Sequence, residues 1–557
     1  MKQVCAFSTL IVLFSIQAFS QPAPKFEVAD VHSSPHTTQP IVRGPFFSSG
    51  RYELRYANML DLIRTAYNVD PEKVYGGPSW LEMERYDVFA KIPPGSTAES
   101  RRLMLQELLA DRFKLVIHND TRPMTAFALT ASKRPQMKAS EDSGEPSCNF
   151  AVQNAPQGGP PPGGGPIQLP IIAYTCKGTT MADFAGKMLS IPGAAQYFNN
   201  KLVVDKTELA GAWDFTLRFT PKVPSGIQTT GENIPIFDAV EKQLGLKLEA
   251  SSIPMPVLVV DSVNLKPTPN SDEAMKSFPP LPTEFEVASL KPTAPDANGG
   301  RGGARPDIKN GRLYLPGFSV KNLIQIGWDL NGDEFLIGAP KWLDEDRYDI
   351  LAKAPAEVAI GDLTPSRNGV PVNIDALRPM IRALVTERFK IEAREEQRPL
   401  NAYTLVSAKP KMKKSDPTAR TRWQEGPVPE AAGSKNANSS LGRMVTCQNV
   451  TMAQFAQMLP GIAPGYLRTD VVDATGLEGG YDFTFSFSPI GALQLGRAPG
   501  RDGNSTSSDN APEASEPNAA LSLFDAMTKQ LGLKLEQQKR PARVLVIDKM
   551  ERKPIDN

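Results

Sequence analysis

The strongest constraint on the fold of this chain is an internal duplication. The segment FDAVEKQLGLKLE at residues 237–249 returns as FDAMTKQLGLKLE at residues 524–536. A second block, PxWL followed by RYD and AK, lies at residues 78–91 and again at residues 340–353. Because the blocks recur in the same order along 557 residues, we predict two similar domains and not one fused core. Features that both halves share are candidates for fold or for common function.

The composition is that of a folded protein without a strong electrostatic preference for partners. Hydrophobic residues make up 40% of the chain and charged residues 22%, and the formal net charge is +1. A chain so close to neutrality has no overall field to recruit nucleic acid or an anionic membrane. We therefore expect no nucleic-acid partner.

The first 20 residues have the pattern of a bacterial signal peptide. Lys2 supplies a positive charge, residues 4–18 are largely apolar, and Ala18-Phe19-Ser20 fits a small-x-small cleavage site. No later segment is apolar enough to cross a bilayer, so we expect no transmembrane segment after cleavage. The sequence thus predicts an extracytoplasmic protein, either periplasmic or secreted.

The mature chain is predicted to contain an α+β domain at 25–266, a linker at 267–282 and a second α+β domain at 283–557. Helices alternate with single strands or hairpins, which predicts small βαβ-type modules whose helices pack on mostly antiparallel or mixed sheets. Asn58 and Ser319 stand at the N-cap of a first helix in each half. A second helix is expected at about 102–110 and 377–386, each followed by a short strand that begins at Arg112 or Arg388. Further separate strands are expected at 126–129, 246–248 and 257–261, with counterparts in the second half, and mobile surface insertions at 156–166, 415–438 and 496–518.

Three cysteines follow the predicted signal peptide. In an oxidising compartment, a disulfide between Cys148 and Cys176 closes a loop that contributes about 3 kcal/mol in the loop-entropy account. Cys447 occupies the place of Cys176 in the second half, where nothing matches Cys148. We expect Cys447 to be a lone, buried thiol.

The ordered motifs FEVA, GR, PxWL, RYDxxAK, RFK, VVD, QLGLKLE and VLVxD resemble an uncharacterised "soil-associated" family of exported bacterial proteins, a domain of unknown function. The resemblance covers nearly all of the mature chain, once per half, which implies two tandem copies. Members of that family also occur fused to membrane sensor metallopeptidases, but this sequence contains no HExxH motif. The order of elements is also similar, more weakly, to the short periplasmic N-terminal domains of secretins and TonB-dependent receptors. That likeness implies binding to protein partners and not catalysis.

Signatures of catalysis, cofactors and metals are missing from the sequence. It has no Gly-x-Ser-x-Gly, Ser-x-x-Lys or Walker-type motif. Its only histidines are His32, His36 and His118, and their spacing and context favour exposed surface side chains. We expect no cofactor, no metal site and no catalytic residue.

The candidate binding residues come from the block that both halves share: Trp80, Arg85 and Asp87, and their counterparts Trp342, Arg347 and Asp349. Each arginine and aspartate share one face of a strand, where the arginine is able to meet a ligand carboxylate. The alternative is a structural ion pair beside a packed tryptophan, which we favour. A second set of carboxylates, Asp205 with Asp214 and Asp473 with Asp482, suits either acid–base chemistry or capping of turns, and we favour the turns.

The leading hypothesis is an exported, non-catalytic binding protein whose partner is a protein, a peptide or a cell-wall component. One alternative is an extracytoplasmic hydrolase or lyase that uses Arg85, Asp87, Asp205 and Asp214 or their second-half equivalents. Another is a ligand-sensing domain detached from a membrane sensor peptidase. Convergence of the charged groups in one pocket would favour the enzyme.

Overall fold

The computed structural model describes residues 24–38, 40–48, 50–131, 135–141, 145–154, 167–198, 201–222, 229–278, 282–293, 306–358, 360–361, 372–427, 442–490 and 521–555. The predicted signal peptide, the insertions at 156–166 and 496–518, and residues 428–438 of the remaining insertion lie outside these residues. Among the helices of the described part, none has the length and hydrophobicity that a bilayer crossing requires.

The two halves follow the same order of elements. The strands of the first half are β1 (Val28–Ser33), β2 (Arg43–Ser48), β3 (Arg51–Asn58), β4 (Val74–Gly76), β5 (Arg85–Lys91), β6 (Val116–Ala131), β7 (Lys138–Ala139), β8 (Ser147–Gln153), β9 (Ile167–Gln168), β10 (Ile171–Thr179), β11 (Val203–Asp205), β12 (Trp213–Phe219), β13 (Thr229–Thr230) and β14 (Leu246–Ser262). Its helices are α1 (Met59–Tyr67), α2 (Ala98–Phe113), α3 (Met181–Lys187), α4 (Ile236–Ala239, continued by a π-turn at Val240–Leu244) and α5 (Asp272–Lys276).

The second half repeats this plan. Its strands are β15 (Val287–Pro292), β16 (Asp307–Lys309), β17 (Arg312–Ser319), β18 (Leu336–Ile337), β19 (Arg347–Lys353), β20 (Glu392–Ser407), β21 (Lys413–Lys414), β22 (Arg422–Pro427), β23 (Arg443–Thr451), β24 (Val471–Asp473), β25 (Gly480–Phe487) and β26 (Leu533–Lys549). Its helices are α6 (Val320–Trp328), α7 (Trp342–Glu345), α8 (Ile374–Phe389), α9 (Met452–Ile462) and α10 (Leu523–Ala526, continued by a π-turn at Met527–Leu531).

Within the described residues, each half has three four-stranded sheets, and the first half also has a two-stranded sheet of β9 and β13. The first sheet has the order β1-β5-β3-β2, matched by β15-β19-β17-β16, and the second has β7-β12-β10-β8, matched by β21-β25-β23-β22. The third has β11-β6-β14-β4, matched by β24-β20-β26-β18, and each outer strand runs parallel to the central strand beside it. The α+β class with mixed sheets and two similar halves is therefore confirmed.

The central pair of the third sheet is one long antiparallel ribbon, and the prediction of separate short strands was wrong. In the first half β6 and β14 stay paired from Val116 to Ala131, and Pro123 lies directly opposite Pro254. In the second half Pro399 lies opposite Pro541. Two opposed prolines suit a pair whose N–H positions point away from the partner strand, so the ladder continues through them. Proline has no backbone N–H, so at these positions the outer side of the ribbon offers no donor to another chain, which discourages intermolecular pairing.

Each half has two large hydrophobic cores, one at each end of its ribbon. In the first half, one core lies between the first sheet, α1 and α2, and the other lies between the second sheet, α3 and α4. The second half has the same pair of cores. Phe113 in one core and Phe219 in the other have no exposed surface. Each of these cores corresponds to one of the modules that the alternation of helices and strands predicts.

The second helix of each half is longer than predicted, and the strand expected at Arg112 was wrong. Thr97 caps α2 one turn earlier, with its hydroxyl accepting from the Ser100 amide. Arg112 and Phe113 form the last turn, which ends because Lys114 is left-handed at φ 51°. The alternation of apolar and polar residues that begins at Arg112 therefore runs across the end of a helix and only has the sequence pattern of a strand. The second half has the same error at Arg388, and the N-caps predicted at Asn58 and Ser319 are confirmed.

Part of the insertion predicted at 415–438 is ordered and joins the two halves. The Thr421 amide donates to the Ser79 carbonyl oxygen at 3.1 Å. Nε of Arg420 and of Arg422 lies 2.9 and 3.1 Å from the same carboxylate oxygen of Glu82. We call these contacts the Glu82 clasp. The expectation of mobility was wrong for residues 415–427, because polar groups of this segment bind the first half.

The first part of the predicted linker also packs on the first half. Arg112 donates to the Thr268 carbonyl oxygen, and the side-chain amide of Asn270 bonds both the N–H and the carbonyl of Val31 on the edge strand β1. Asn270 therefore takes the place of a neighbouring strand at this edge. Helix α5 follows directly, with Ser271 as its N-cap.

Candidate functional site

The arginine and aspartate of the shared block act together on one backbone irregularity. Between β3 and β5 the register shifts, and Tyr56 at the shift is left-handed with φ 53°. Asp87 accepts from the Tyr56 amide at 2.9 Å and from the Ser34 hydroxyl at 2.6 Å, while Arg85 donates to the Tyr56 carbonyl at 2.6 Å. Both charged side chains thus stabilise a β-bulge that leaves polar backbone groups unpaired.

The second half contains the same arrangement with a glycine at the bulge. Asp349 accepts from the Gly317 amide at 2.8 Å and from the Thr293 hydroxyl at 2.7 Å, and Arg347 donates to the Gly317 carbonyl at 2.9 Å. Gly317 has φ 68°, a conformation that glycine adopts without the steric cost borne by Tyr56. The arrangement is preserved although the bulge residue is not.

Two further aspartates do the same in the second sheets. Asp214 accepts from the amide of Gly178, and Asp482 from that of Asn449, each at 2.8 Å. Gly178 and Asn449 each lie at a register shift between two strands, and both are left-handed, with φ 60° and 49°. We call the four arrangements bulge clamps: an aspartate on one strand accepts the amide of a left-handed residue on the next. The hydrogen bond from Gly178 is the main cause that lowers the pKa of Asp214, because it stabilises the ionised carboxylate.

The remaining carboxylates cap turns. Asp205 accepts from the backbone amide and the hydroxyl of Thr207 at 2.8 and 2.7 Å, and Asp473 accepts from the Thr475 amide at 2.8 Å. Asp205 lies in the third sheet and Asp214 in the second, whereas Arg85 and Asp87 lie in the first. The residues of the hydrolase alternative are thus distributed over three sheets, and each of the four bonds backbone near its own strand.

The two tryptophans are half-buried against the first core of their half. The Trp342 ring lies 6.3 Å from the Phe389 ring, and the Arg552 guanidinium lies over it at 6.0 Å. A binding role for Trp80, Trp342 and the two arginine–aspartate pairs stays a prediction. The geometry gives each of them a structural task.

Each histidine lies close to a carboxylate, and His32 lies near two, 3.2 Å from Asp30 and 4.0 Å from Asp87. His118 contacts Asp261 at 2.8 Å and His36 contacts Asp470 at 2.9 Å, with about half of each imidazole exposed. Arg394 occupies the place of His118 and pairs with Asp548 in the same way. Over the described ranges, no group of three or more histidine, cysteine or acidic side chains is arranged to hold a metal ion.

The cysteines differ between the halves in one exchange. Cys148 on β8 and Cys176 on β10 lie directly opposite each other and form a disulfide. In the second half the matching position on β22 is Trp423, which lies opposite Cys447. Cys447 is free and buried as predicted, and burial raises the pKa of its thiol to about 12. Such a thiol is protonated at neutral pH and therefore a poor nucleophile.

One concave site was missed by the sequence reasoning. A cavity of about 230 Å³ lies beside β1, between α2 and α5, and we call it the N-terminal cavity. Its lining comes from three segments that are far apart in the chain: residues 25–29, residues 104–112 of α2, and residues 271–273 at the start of α5. Each segment has an ordinary pattern by itself, so only their packing identifies the site. The bulge clamps were also missed, although each aspartate stands at the same place in the two halves.

The bulge clamps predict a large difference between two carboxylates of the second half. Replacing Asp349 by alanine leaves the Gly317 amide and the Thr293 hydroxyl without their acceptor, which costs about 1–3 kcal/mol of unfolding free energy. The measurement is the urea midpoint of unfolding, followed by tryptophan fluorescence. The matched control is Asp548→Ala, an exposed surface carboxylate, for which a change within about 0.5 kcal/mol is expected. Equal, small effects for both variants would show that Asp349 is not needed by the bulge and is available to a ligand.

Comparison with known proteins gives a family and no activity. None of the curated proteins and none of the solved structures compared with the chain matches it. The profile of the family described as "Protein of unknown function (DUF3738)" matches residues 60–263 and again residues 321–550, one match in each half. These two regions cover most of the chain and coincide with the repeated arrangement of sheets and helices. The chain therefore belongs to the DUF3738 family.

Proposed function

We propose that the chain is an exported, non-catalytic binding protein that engages a protein, a peptide or a cell-wall component. The observation that carries the proposal is the use of the polar residues that both halves retain. Arg85, Asp87, Asp205 and Asp214, with their counterparts, bond the protein's own backbone. An active site needs such groups to converge on a substrate with perturbed pKa values, which is a different arrangement.

The architecture supports the same proposal. Two halves with two large cores each form four small α+β units. The likeness of the element order to the partner-binding domains of secretins and TonB-dependent receptors agrees with it, as an analogy of fold. The hydrolase alternative lacks this support because its residues lie in three separate sheets.

Export is part of the proposal. The disulfide between Cys148 and Cys176 favours an oxidising compartment, since thiols in the cytoplasm are kept reduced. The signal-peptide pattern of the first 20 residues agrees with this, and with the periplasm or the exterior of a bacterium as the location.

The test of the binding function is affinity capture from envelope extract. The chain from residue 21 onward is immobilised, and bound material is eluted in steps of rising salt and identified by mass spectrometry. We expect one protein, peptide or cell-wall fragment retained at about 0.15 M salt and absent from beads that carry an unrelated exported protein. Re-binding of the purified candidate in solution completes the test. Retention of nothing beyond the control beads at any salt would contradict the proposed function.

A further inference from the structure

One edge strand of the first half lacks the features that keep sheet edges from pairing with another chain. Strand β8 borders the second sheet, and its seven residues, SCNFAVQ, include no charged residue and no proline. Each of the other described strands at the border of a sheet is at most three residues long or carries a charged residue. Short length, charge and proline are the usual protections of an edge. Among the described strands, β8 alone is therefore unprotected against pairing.

The outward backbone groups of β8 belong to Cys148, Phe150 and Val152. The Cα atoms of Cys148 and Cys176 lie 4.1 Å apart, the short spacing of an antiparallel pair that exchanges no backbone hydrogen bond. The N–H and C=O groups of Cys148 therefore point away from β10, and those of Phe150 and Val152 do the same because the direction alternates along a strand. The second half agrees, because Pro427 has the place of Val152 and has no N–H to donate to its own sheet.

The side chains of the same three residues lie on the core face of the sheet, and two of them are exposed. Cys148 packs against the second core of the first half, whereas Phe150 and Val152 are 56% and 50% exposed. Their partners on β10, Tyr174 and Ile172, are buried. The apolar layer of this core thus continues onto β8 and ends there with two uncovered side chains. A strand added beside β8 would extend the sheet and place its own apolar side chains next to these two.

The second half protects the same border. Glu425 and Pro427 on β22 stand where β8 has Phe150 and Val152, and Glu425 pairs with Arg443 at 3.2 Å. A chain with two unprotected borders is able to join head to tail and grow into filaments. In this chain only the border in the first half is unprotected, so association through it pairs like with like and closes at two molecules.

We propose that β8 pairs antiparallel with β8 of a second molecule of this chain, which gives a two-fold symmetric dimer. Pairing centred on Phe150 places Phe150 opposite itself and Cys148 opposite Val152, so the outward groups of both strands form about six backbone hydrogen bonds. Because β8 carries no charge and the net charge of the chain is +1, neither like charges across the pair nor an overall field opposes association. The disulfide holds β8 in register on β10, so the edge is preorganised.

The experiment is sedimentation velocity of the chain from residue 21 onward, at concentrations from about 1 to 500 µM. We expect a monomer–dimer equilibrium with a Kd on the order of 10–100 µM, because two paired strands form a small interface. Phe150→Glu and Phe150→Lys are each expected to raise this Kd at least about tenfold, since residue 150 then meets a like charge. An equimolar mixture of the two variants is expected to associate at least about fivefold more tightly than either alone, because opposite charges then meet.

A proline variant and a surface control separate the edge from general surface effects. Val152→Pro introduces the residue that the second half has at this place and removes one outward donor. It is expected to raise the Kd of the dimer about tenfold and to leave the melting temperature of the monomer unchanged. The control is Leu351→Glu, a side chain that is 58% exposed on the central strand β19, and the Kd of this variant is expected to equal that of the wild type.

Three results would overturn this inference. They are a monomer at every concentration, a dimer whose Kd is unchanged in Val152→Pro, and a mixture of the two Phe150 variants that associates no more tightly than its components. A monomer whose captured partner is lost in Val152→Pro would assign the edge to an extended segment of that partner and would also overturn self-pairing. The proposed binding function is independent of these outcomes, since capture from envelope extract tests it separately.

Discussion

Replacement of Glu82 by alanine is expected to separate the unfolding of the two halves. The side chains of Glu82 and Arg420 are 12% and 13% exposed, so the Glu82 clasp is a largely buried ion pair. Removal of the carboxylate leaves the Arg420 guanidinium desolvated without its ion-pair partner, and burial already lowers the pKa of this group. Breaking one side of such a pair costs about 3–5 kcal/mol. Because the pair joins two halves that each have their own cores, the loss falls on their association.

The measurements are scanning calorimetry and small-angle scattering. In the wild type the clasp couples the halves, whereas Glu82→Ala is expected to give a broadened or split transition and a larger radius of gyration. The control is Asp344→Ala, the counterpart of Glu82 in the second half, whose carboxylate is 63% exposed and pairs with Lys321. This variant is expected to unfold as the wild type does. A single transition at an unchanged midpoint in Glu82→Ala would show that the clasp does not hold the halves together.

The clasp illustrates what the sequence does and does not reveal. The duplication predicts two similar halves with two or more modules each, because repeated blocks report shared local structure. Contacts between the halves are not repeated, so no internal comparison exposes them. Arg420 and Arg422 lie in a polar segment whose composition is that of a loop. Only the folded structure shows that both lie beside Glu82.

Element types were more predictable than element lengths. The N-caps at Asn58 and Ser319 follow from local side-chain chemistry, and the structure confirms both. The ribbons were missed because Pro123 and Pro254 have the pattern of strand breaks when each is considered separately. Their opposition across two strands makes them compatible with the ladder, and that register is a long-range property.

The candidate site residues were recognisable as shared, but their task was not. Arg85 and Asp87 were expected to face each other or a ligand, and they instead bond the carbonyl and the amide of Tyr56. A signal was available: the residue that aligns with Tyr56 is Gly317, and a glycine opposite a retained aspartate suggests a left-handed bulge. The N-terminal cavity had no such signal, since its counterpart on α8 lacks Glu107.

Replacement of Cys148 by serine is expected to destabilise one core out of four. The disulfide closes a loop with a sequence separation of 28, which contributes about 3 kcal/mol by restricting the unfolded chain. Cys176 is buried in the second core of the first half, and this variant leaves its side chain in place. Loss of the bond therefore weakens the pairing of β8 with β10 and the core beneath it. The matching core of the second half contains Trp423 and Cys447 and depends on no disulfide.

Hydrogen exchange with peptide-level resolution measures each core separately. Peptides from β10 and β12 are expected to lose protection in Cys148→Ser, while those from β23 and β25 keep it. Dithiothreitol is expected to produce the same loss in the wild type and no further change in the variant, which isolates the disulfide from any effect of the serine hydroxyl. If the reductant weakens the second half as well, or the variant as much as the wild type, the disulfide is not the source of the difference. The expected asymmetry follows from the exchange of Cys148 for Trp423, since one copy closes this sheet edge with a covalent bond and the other with a packed indole ring.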